Sequence, residues 1–584
     1  MRRLTVLLAS AILAASPATA GAPEDFKALT DDYWAWSLKE DPTFASSLGV
    51  KEYDDRLRDI SLEASDRRAR DMEAFLARLK AIPDSGLSVA DRVNKAILLQ
   101  SIESELGANR FGQRMMIFTN RGGWHQGIAG LADALSFTTA ADYNNYLKRL
   151  AQYPALNDTA LAISTRALEG GYTRPCVAMV NFEDTITGVI PADAAKSRLY
   201  APFAGDRPAF VATDRWTDLQ SRARALIDGP LRAAYAKHLD WYLTRYKPKC
   251  NAKVGASALP GGKDYYAFRV RDMTTTDMSA EEIHQLGQRE VARIRGEMET
   301  VAKKAGFASR EAMIADMRTN PKFFARTGEE LMQHVARETK RIDGFMPGLF
   351  ATLPRLPYTI REIPAETAPG QTTAYYDTGN LKTGLPGVYW VNTSKLDQRP
   401  LWEIPALSVH EAVPGHHQQL SIQQEVDLPE WRRFGTFFTA FVEGWGLYSE
   451  RLGIEMGLYD TPQKDMGRLG YEMWRATRLV VDTGIHAKDW SKDQAVAFMK
   501  DNTTLTDANI DAEVNRYIAN PAQALAYKIG ELKIRALRAL AERELGARFD
   551  LRRFHDAVLL QGAVPLEVLD RQVKEWIAAE KARG

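Results

Sequence analysis

His410-Glu411-Ala412-Val413-Pro414-Gly415-His416-His417 gathers three of the chain's nine histidines into eight consecutive residues. On a regular helix His417 lies on the same face as His410 but two turns away, roughly 10 Å along the axis. Metal–nitrogen bonds of about 2 Å cannot bridge that gap. Pro414 has no amide hydrogen, and its ring clashes with the carbonyl four residues back, that of His410. Gly415 tolerates backbone angles that other residues avoid. The helix is therefore expected to break or bulge at Pro414-Gly415, so that a histidine beyond it swings back towards His410. Either His416 or His417 meets that condition. The plain alternative is a helix end with incidental histidines.

The stretch resembles the H-E-x-x-H helix of zincins, where two histidines one turn apart bind zinc and the Glu acts as base. It departs from that motif because the fourth position after His410 is Pro414, which makes it H-E-(bulge)-G-H. Two histidines need a third ligand, typically a carboxylate, with one position left open. Phe441-Val442-Glu443-Gly444-Trp445-Gly446-Leu447-Tyr448-Ser449-Glu450 offers two acids seven apart on one helix face. Glu443 is the better ligand, because Gly444 and Gly446 let two helices pack closely beside it. Glu450 would stand behind it or at the surface. Farther on, Arg478, Asp482 and His486 share one face of a helix, and Tyr527 and Lys528 follow. A His and a Tyr hydroxyl could serve as donors to a developing oxyanion. The plainer readings are an Arg478–Asp482 ion pair within the helix and a Tyr527 in the core.

Around this centre the chain reads as mainly α with a small β-sheet. Segments 64–81, 90–106, 141–151, 280–305, 328–342 and 520–545 carry apolar residues at three- and four-residue spacing. Strands are expected at 264–270, 358–363 and 387–392, which are short and rich in aromatic or branched residues. Between Ile363 and Pro386 the sequence is loose, with Pro364, Pro369, Gly370, Gly379 and Gly384. A loop of that length is usually functional or mobile. The chain has 584 residues with 45% apolar and 26% charged side chains, an ordinary globular composition with room for more than one subdomain. The expected division is a helical subdomain over 21–255 and a catalytic subdomain over 256–584. A formal charge of +1 argues against a nucleic-acid partner. No G-x-S-x-G elbow, P-loop or G-x-G-x-x-G fingerprint occurs.

The first twenty residues read as a signal peptide. Arg2 and Arg3 precede an apolar run from Leu4, and Ala18-Thr19-Ala20 supplies a cleavage site. The run is too short to span a bilayer. The mature protein is thus expected to be periplasmic or secreted, with no membrane association after cleavage. Cys176 and Cys250 are the only cysteines, and a lone pair in an oxidising compartment is a candidate disulfide.

Several stretches together resemble a bacterial family catalogued as domain of unknown function 885. They are 259–287 (LPGGKDYYAFRVRDMTTTDMSAEEIHQLG), 386–394 (PGVYWVNTS), 409–420 (VHEAVPGHHQQL), 441–453 (FVEGWGLYSERLG), 478–486 (RLVVDTGIH) and 521–534 (PAQALAYKIGELKI). The pattern H-E-x-G-H, followed by a helix bearing Glu, is more distantly similar to helical zinc peptidases. These include angiotensin-converting enzyme, thimet oligopeptidase and bacterial carboxypeptidases. That likeness implies a helical zincin-like metallopeptidase fold with a deep substrate cleft. It implies Zn2+ on His410, His416 (or His417) and Glu443, with Glu411 as general base and His486 and Tyr527 as helpers at the oxyanion. The expected activity is hydrolysis of short peptides. Tyr389 and Asn392 would lie on an edge strand along the peptide, and Arg478 or Lys528 would hold a peptide carboxylate. The rivals are a zinc amidase, esterase or lyase on a small metabolite, and an inactive zinc-binding protein.

Overall fold

A computed structural model describes residues 21–583 apart from 366, 369 and 370; the expected signal peptide lies outside the described residues. Helices dominate, and their boundaries follow local chemistry. Ser61 caps the helix Leu62–Ala81 by accepting the Ala64 N–H. Ser279 and Glu282 form a reciprocal capping box at the start of Ala280–Lys304, which satisfies two otherwise orphaned donors. Along that helix Ile283, Gly287, Val291, Ile294, Met298 and Ala302 are buried, a three- and four-residue stripe that faces the core.

The stripe packs along the helix Pro462–Ala487, hereafter the arginine helix. Every residue of this helix from Met466 to His486 is buried. Arg468, Glu472, Arg475, Arg478, Asp482 and His486 recur on it at three- and four-residue spacing, so a file of ionisable groups runs through the interior. Burying such groups is costly unless each finds a partner. The partners decide which of them face the candidate site.

Three strands form one sheet in the order β1–β3–β2. β1 (Tyr358–Glu362) runs parallel to β3 (Gly387–Val391), with Ile360 opposite Tyr389. β2 (Ala374–Asp377) runs antiparallel to β3, with Tyr376 opposite Tyr389. β3 is therefore the central strand and cannot be the edge expected from its sequence. The outer strands are β1 and β2, and β2 lies inside the stretch that reads as a loose loop. The strand expected at 264–270 is instead part of the helix Gly262–Thr274, in which Tyr266, Val270 and Thr274 are buried. Their spacing of four places them on one helical face, and that burial overrides the β preference of the aromatic residues.

The cores do not divide at residue 255. Phe26, Leu29, Ile97 and Ile102 share one apolar core with Trp445, Leu479, Leu537 and Leu569. A separate core, rich in aromatic rings, is built from residues between Phe118 and Tyr246. The Cys176–Cys250 disulfide is formed and ties the middle of the chain segment that builds that second core to the residues just beyond its end. Among the described residues no helix is long and apolar enough to cross a membrane.

Candidate metal centre

The motif helix Ile404–Glu411 ends where Pro414 removes a donor, and a second motif helix, His416–Glu425, begins directly after Gly415. The turn between them folds back so tightly that a Cβ on Gly415 would lie 1.9 Å from the His410 carbonyl oxygen. Only glycine fits there. The turn is pinned on its far side, where the Trp445 indole donates to the Pro414 carbonyl at 2.8 Å. The bulge brings His416, and not His417, beside His410, with ring centroids 4.7 Å apart at 82°.

The helix Thr439–Leu452 crosses behind the motif and supplies the carboxylate. Its approach depends on two glycines with different neighbours. A Cβ on Gly444 would lie 2.6 Å from the Gly530 backbone of the helix Ala526–Leu545, and one on Gly446 would lie 2.8 Å from the His410 ring. Both spaces are full, so Glu443 is carried directly onto the histidine pair.

His410 Nε2 lies 3.6 Å and His416 Nε2 3.3 Å from Glu443 Oε2, and one ligand atom from each of the three falls within 4.8 Å of the others. These separations are long for charge-assisted hydrogen bonds, which run about 2.7–2.9 Å. They match the spacing of atoms that share one tetrahedral ion at bonds of about 2.0–2.1 Å, which is roughly 3.4 Å. The donor set of two imidazoles and one carboxylate suits zinc. Behind it, Glu450 Oε1 accepts from His410 Nδ1 at 2.8 Å, which leaves Nε2 free to ligate. Glu450 is itself held by Arg475 at 2.9 Å. Burial disfavours a charged His410, but Glu443, Glu450 and Glu411 outweigh it and push its pKa up to about 9. Burial likewise works against a charged Glu443, and the two histidines hold its carboxyl well below the usual range.

His410, His416, Glu443 and Glu411 line one cavity of about 460 Å³. Glu411 is buried there, with no hydrogen-bond or ion-pair partner among the described residues, and burial raises its pKa. Tyr527 lines the cavity too. Its ring lies nearly parallel to His410, centroids 6.5 Å apart, and its hydroxyl accepts from Arg516 at 3.3 Å. Arg478 reaches the same cavity. Asp482 is not its partner: Arg478 pairs with Glu513 at 2.9 Å, while Asp482 accepts from the Tyr266 hydroxyl at 2.6 Å and from the Ala522 N–H.

Five other residues singled out in the sequence stand outside the cavity. His417 turns away from the metal cluster and accepts from the Tyr376 hydroxyl of β2 at 2.9 Å, so it ties the sheet to the motif. His486 is engaged at both nitrogens: Nδ1 accepts the Ala256 N–H at 2.9 Å and Nε2 donates to the Tyr517 carbonyl at 3.0 Å. It has no donor left for an oxyanion. Lys528 is fully buried among Glu290, Glu472 and Glu531 at 2.9–3.2 Å, too far committed to hold a substrate carboxylate. Tyr389, on the central strand, is fully buried. The Asn392 amide donates to the carbonyls of Ala368, Gln371 and Thr372 and shapes the chain entering β2. Conversely, the cavity includes Arg121, Ala374, Tyr375, Tyr376, Arg475 and Arg516. Arg475 could have been noticed one turn before Arg478. Arg121 lies nearly three hundred residues from the motif, and no local pattern marks it.

The profile of a bacterial protein family of unknown function, DUF885, matches residues 42–573. The chain belongs to the DUF885 family. Among curated proteins none matches the chain. The DUF885 chain is similar to the crystal structure of a candidate lipoprotein from Colwellia psychrerythraea, at 26% identity and a TM-score of 0.89. That likeness covers 96% of this chain and all of the other. A candidate lipoprotein of unknown function from Shewanella oneidensis shares the fold at 18% identity and a TM-score of 0.67, covering 95% of this chain and 99% of that one.

Proposed function

We propose that this DUF885 protein is a zinc-dependent metallopeptidase that hydrolyses short peptides outside the cytoplasm. The observation that carries the reading is the convergence of His410 Nε2, His416 Nε2 and Glu443 Oε2 in one cavity with an unengaged, buried Glu411. Zinc in such a site polarises a carbonyl and lowers the pKa of water. Glu411, with its pKa raised by burial, takes the proton of the attacking water and delivers it to the leaving amine. Tyr527 offers its hydroxyl to the developing oxyanion, an interaction worth about 3 kcal/mol in comparable sites. With His486 committed elsewhere, Tyr527 carries this role without a histidine partner. β2 is an outer strand of the sheet, and with Ala374 and Tyr376 on the cavity wall it lines the path of an extended peptide. The disulfide and the likeness to candidate lipoproteins support an exported location.

Metal content by plasma mass spectrometry on wild type and Glu411→Gln, followed by digestion of a mixed peptide library, tests the reading. One zinc in each protein, with cleavage by wild type only, is the expected result. Zinc in both with no cleavage by wild type would remove the peptidase assignment, and no metal in either would remove the ligand set.

A further inference from the structure

One wall of the cavity is cationic beyond anything the metal site requires. Arg121, Arg478 and Arg516 all reach it, and all three converge on a single carboxylate, Glu513. Arg478 Nη2 lies 2.9 Å, Arg516 Nη1 3.2 Å and Arg121 Nη2 3.7 Å from its oxygens. Glu513 is fully buried. Within ion-pair reach the three guanidinium groups share that one carboxylate. Buried charges of one sign are expensive unless a partner arrives. The unused donors have definite positions: Arg478 Nη1 and Arg121 Nε and Nη2 are buried without a hydrogen-bond partner, and Arg478 itself is 1% exposed. Trp474 and Tyr527 flank the Arg478 guanidinium at 4.6 and 4.2 Å from their ring centroids, which fixes it as a rigid fork.

Resting on the peptidase reading, we infer that this wall captures the free C-terminal carboxylate of the substrate, so that the enzyme is a carboxypeptidase releasing one or two residues. An arginine fork matches a carboxylate in charge and planar geometry. The register follows from distances. Tyr527 neighbours both sites, with its ring 6.5 Å from the His410 ring and 4.2 Å from Arg478 Cζ. The guanidinium therefore lies within about 11 Å of the first metal ligand. After the ligand bond and a hydrogen bond to the carboxylate are allowed for, the remaining span holds at most two residues at about 3.3–3.6 Å each. In the other direction the cavity is not closed. Thr378, Leu420 and Phe437 are shared with an adjoining cavity of about 570 Å³, which receives the N-terminal part of the peptide.

The test uses zinc-loaded Glu411→Gln and N-terminally dansylated hexapeptides, identical except for a free acid or an amide at the C-terminus. Fluorescence anisotropy should show the acid binding at least tenfold tighter. Adding Arg121→Gln, at a side chain 27% exposed and 3.7 Å from Glu513, should reduce that preference below threefold, with a melting curve recorded alongside to separate lost binding from lost folding. Wild type should release only the last one or two residues of the acid, as read by mass spectrometry. Equal binding or equal cleavage of acid and amide overturns the carboxylate clamp and leaves the peptidase reading intact. A strong preference for the acid without any cleavage by wild type upholds the clamp and removes the peptidase reading. Binding of neither peptide overturns both.

Discussion

Gly446→Ala is the substitution that most directly tests whether the glycine beside the proposed metal ligands is there for the site. Its Cβ would lie 2.8 Å from His410 Cε1, 2.9 Å from Nε2 and 3.1 Å from Nδ1. Comfortable contacts between heavy atoms begin near 3.5 Å, so the ring must retreat by roughly half an ångström or more. Glu450 holds Nδ1 at 2.8 Å from behind and opposes that motion. Ligand positions in metal sites are set to about ±0.2 Å, so the displacement exceeds the tolerance. Zinc affinity should fall by about 10–100-fold, the cost typical of disturbing the support of a ligand histidine. That corresponds to about 1.4–2.7 kcal/mol. Overpacking should also lower stability by about 1–3 kcal/mol. Gly287→Ala provides the comparison. Its Cβ would meet Leu479 Cβ at 2.7 Å, an equally crowded contact that touches no metal ligand. Competition with a calibrated chelator gives the affinity, and denaturant unfolding of the metal-free proteins gives the stability. If Gly446→Ala binds zinc within threefold of wild type, or loses no more affinity than Gly287→Ala, the reasoning fails.

Three further predictions rest on separate parts of the structure. Glu450→Gln keeps the shape but weakens the acceptor for His410 Nδ1; zinc affinity should drop about 10–100-fold with the circular dichroism spectrum retained, and an unchanged affinity would refute the supporting role. Removing the Cys176–Cys250 link, 74 residues apart in sequence, with two serines should cost about 4 kcal/mol on the loop-entropy estimate, and denaturant unfolding of oxidised wild type against the variant measures it. Burial pushes the pKa of His238 and His555 down to about 3 and that of His486 down to about 4. The unfolded chain therefore takes up protons first as pH falls. Their stabilising effect is complete above pH 6.5 and is lost as pH falls towards 4, at up to about 1.4 kcal/mol per pH unit for each histidine. His238 stacks on Trp124 at 4.4 Å and its ring nitrogens have no partner, so His238→Phe should flatten the slope by about one proton between pH 6 and 5. An unchanged slope would contradict the burial argument.

The sequence by itself determined the elements of the candidate metal cluster. A proline that cannot continue a helix, a glycine after it, and histidines on either side are local facts with local consequences, and a second acid-bearing helix with small neighbours is legible in the same way. The helical majority was legible for a related reason, since a three- and four-residue apolar stripe is written into each segment. Other features depended on which surfaces meet. Tyr265, Tyr266 and Phe268 read as a strand because their intrinsic preference is extended, but burial of Tyr266, Val270 and Thr274 on one face made a helix. β3 has the best strand sequence yet lies in the centre of the sheet, which leaves β1 and the weaker β2 as the outer strands. His416 and His417 are indistinguishable by spacing, and the bulge backbone alone turns one towards Glu443 and the other towards Tyr376. His486 and Lys528 have the right chemistry for a site, but packing gave both their partners elsewhere. The arginine wall shows the limit most clearly. Arg121, Arg478 and Arg516 come from three distant segments, and their shared carboxylate and unused donors exist only once the fold has brought those segments to one cavity.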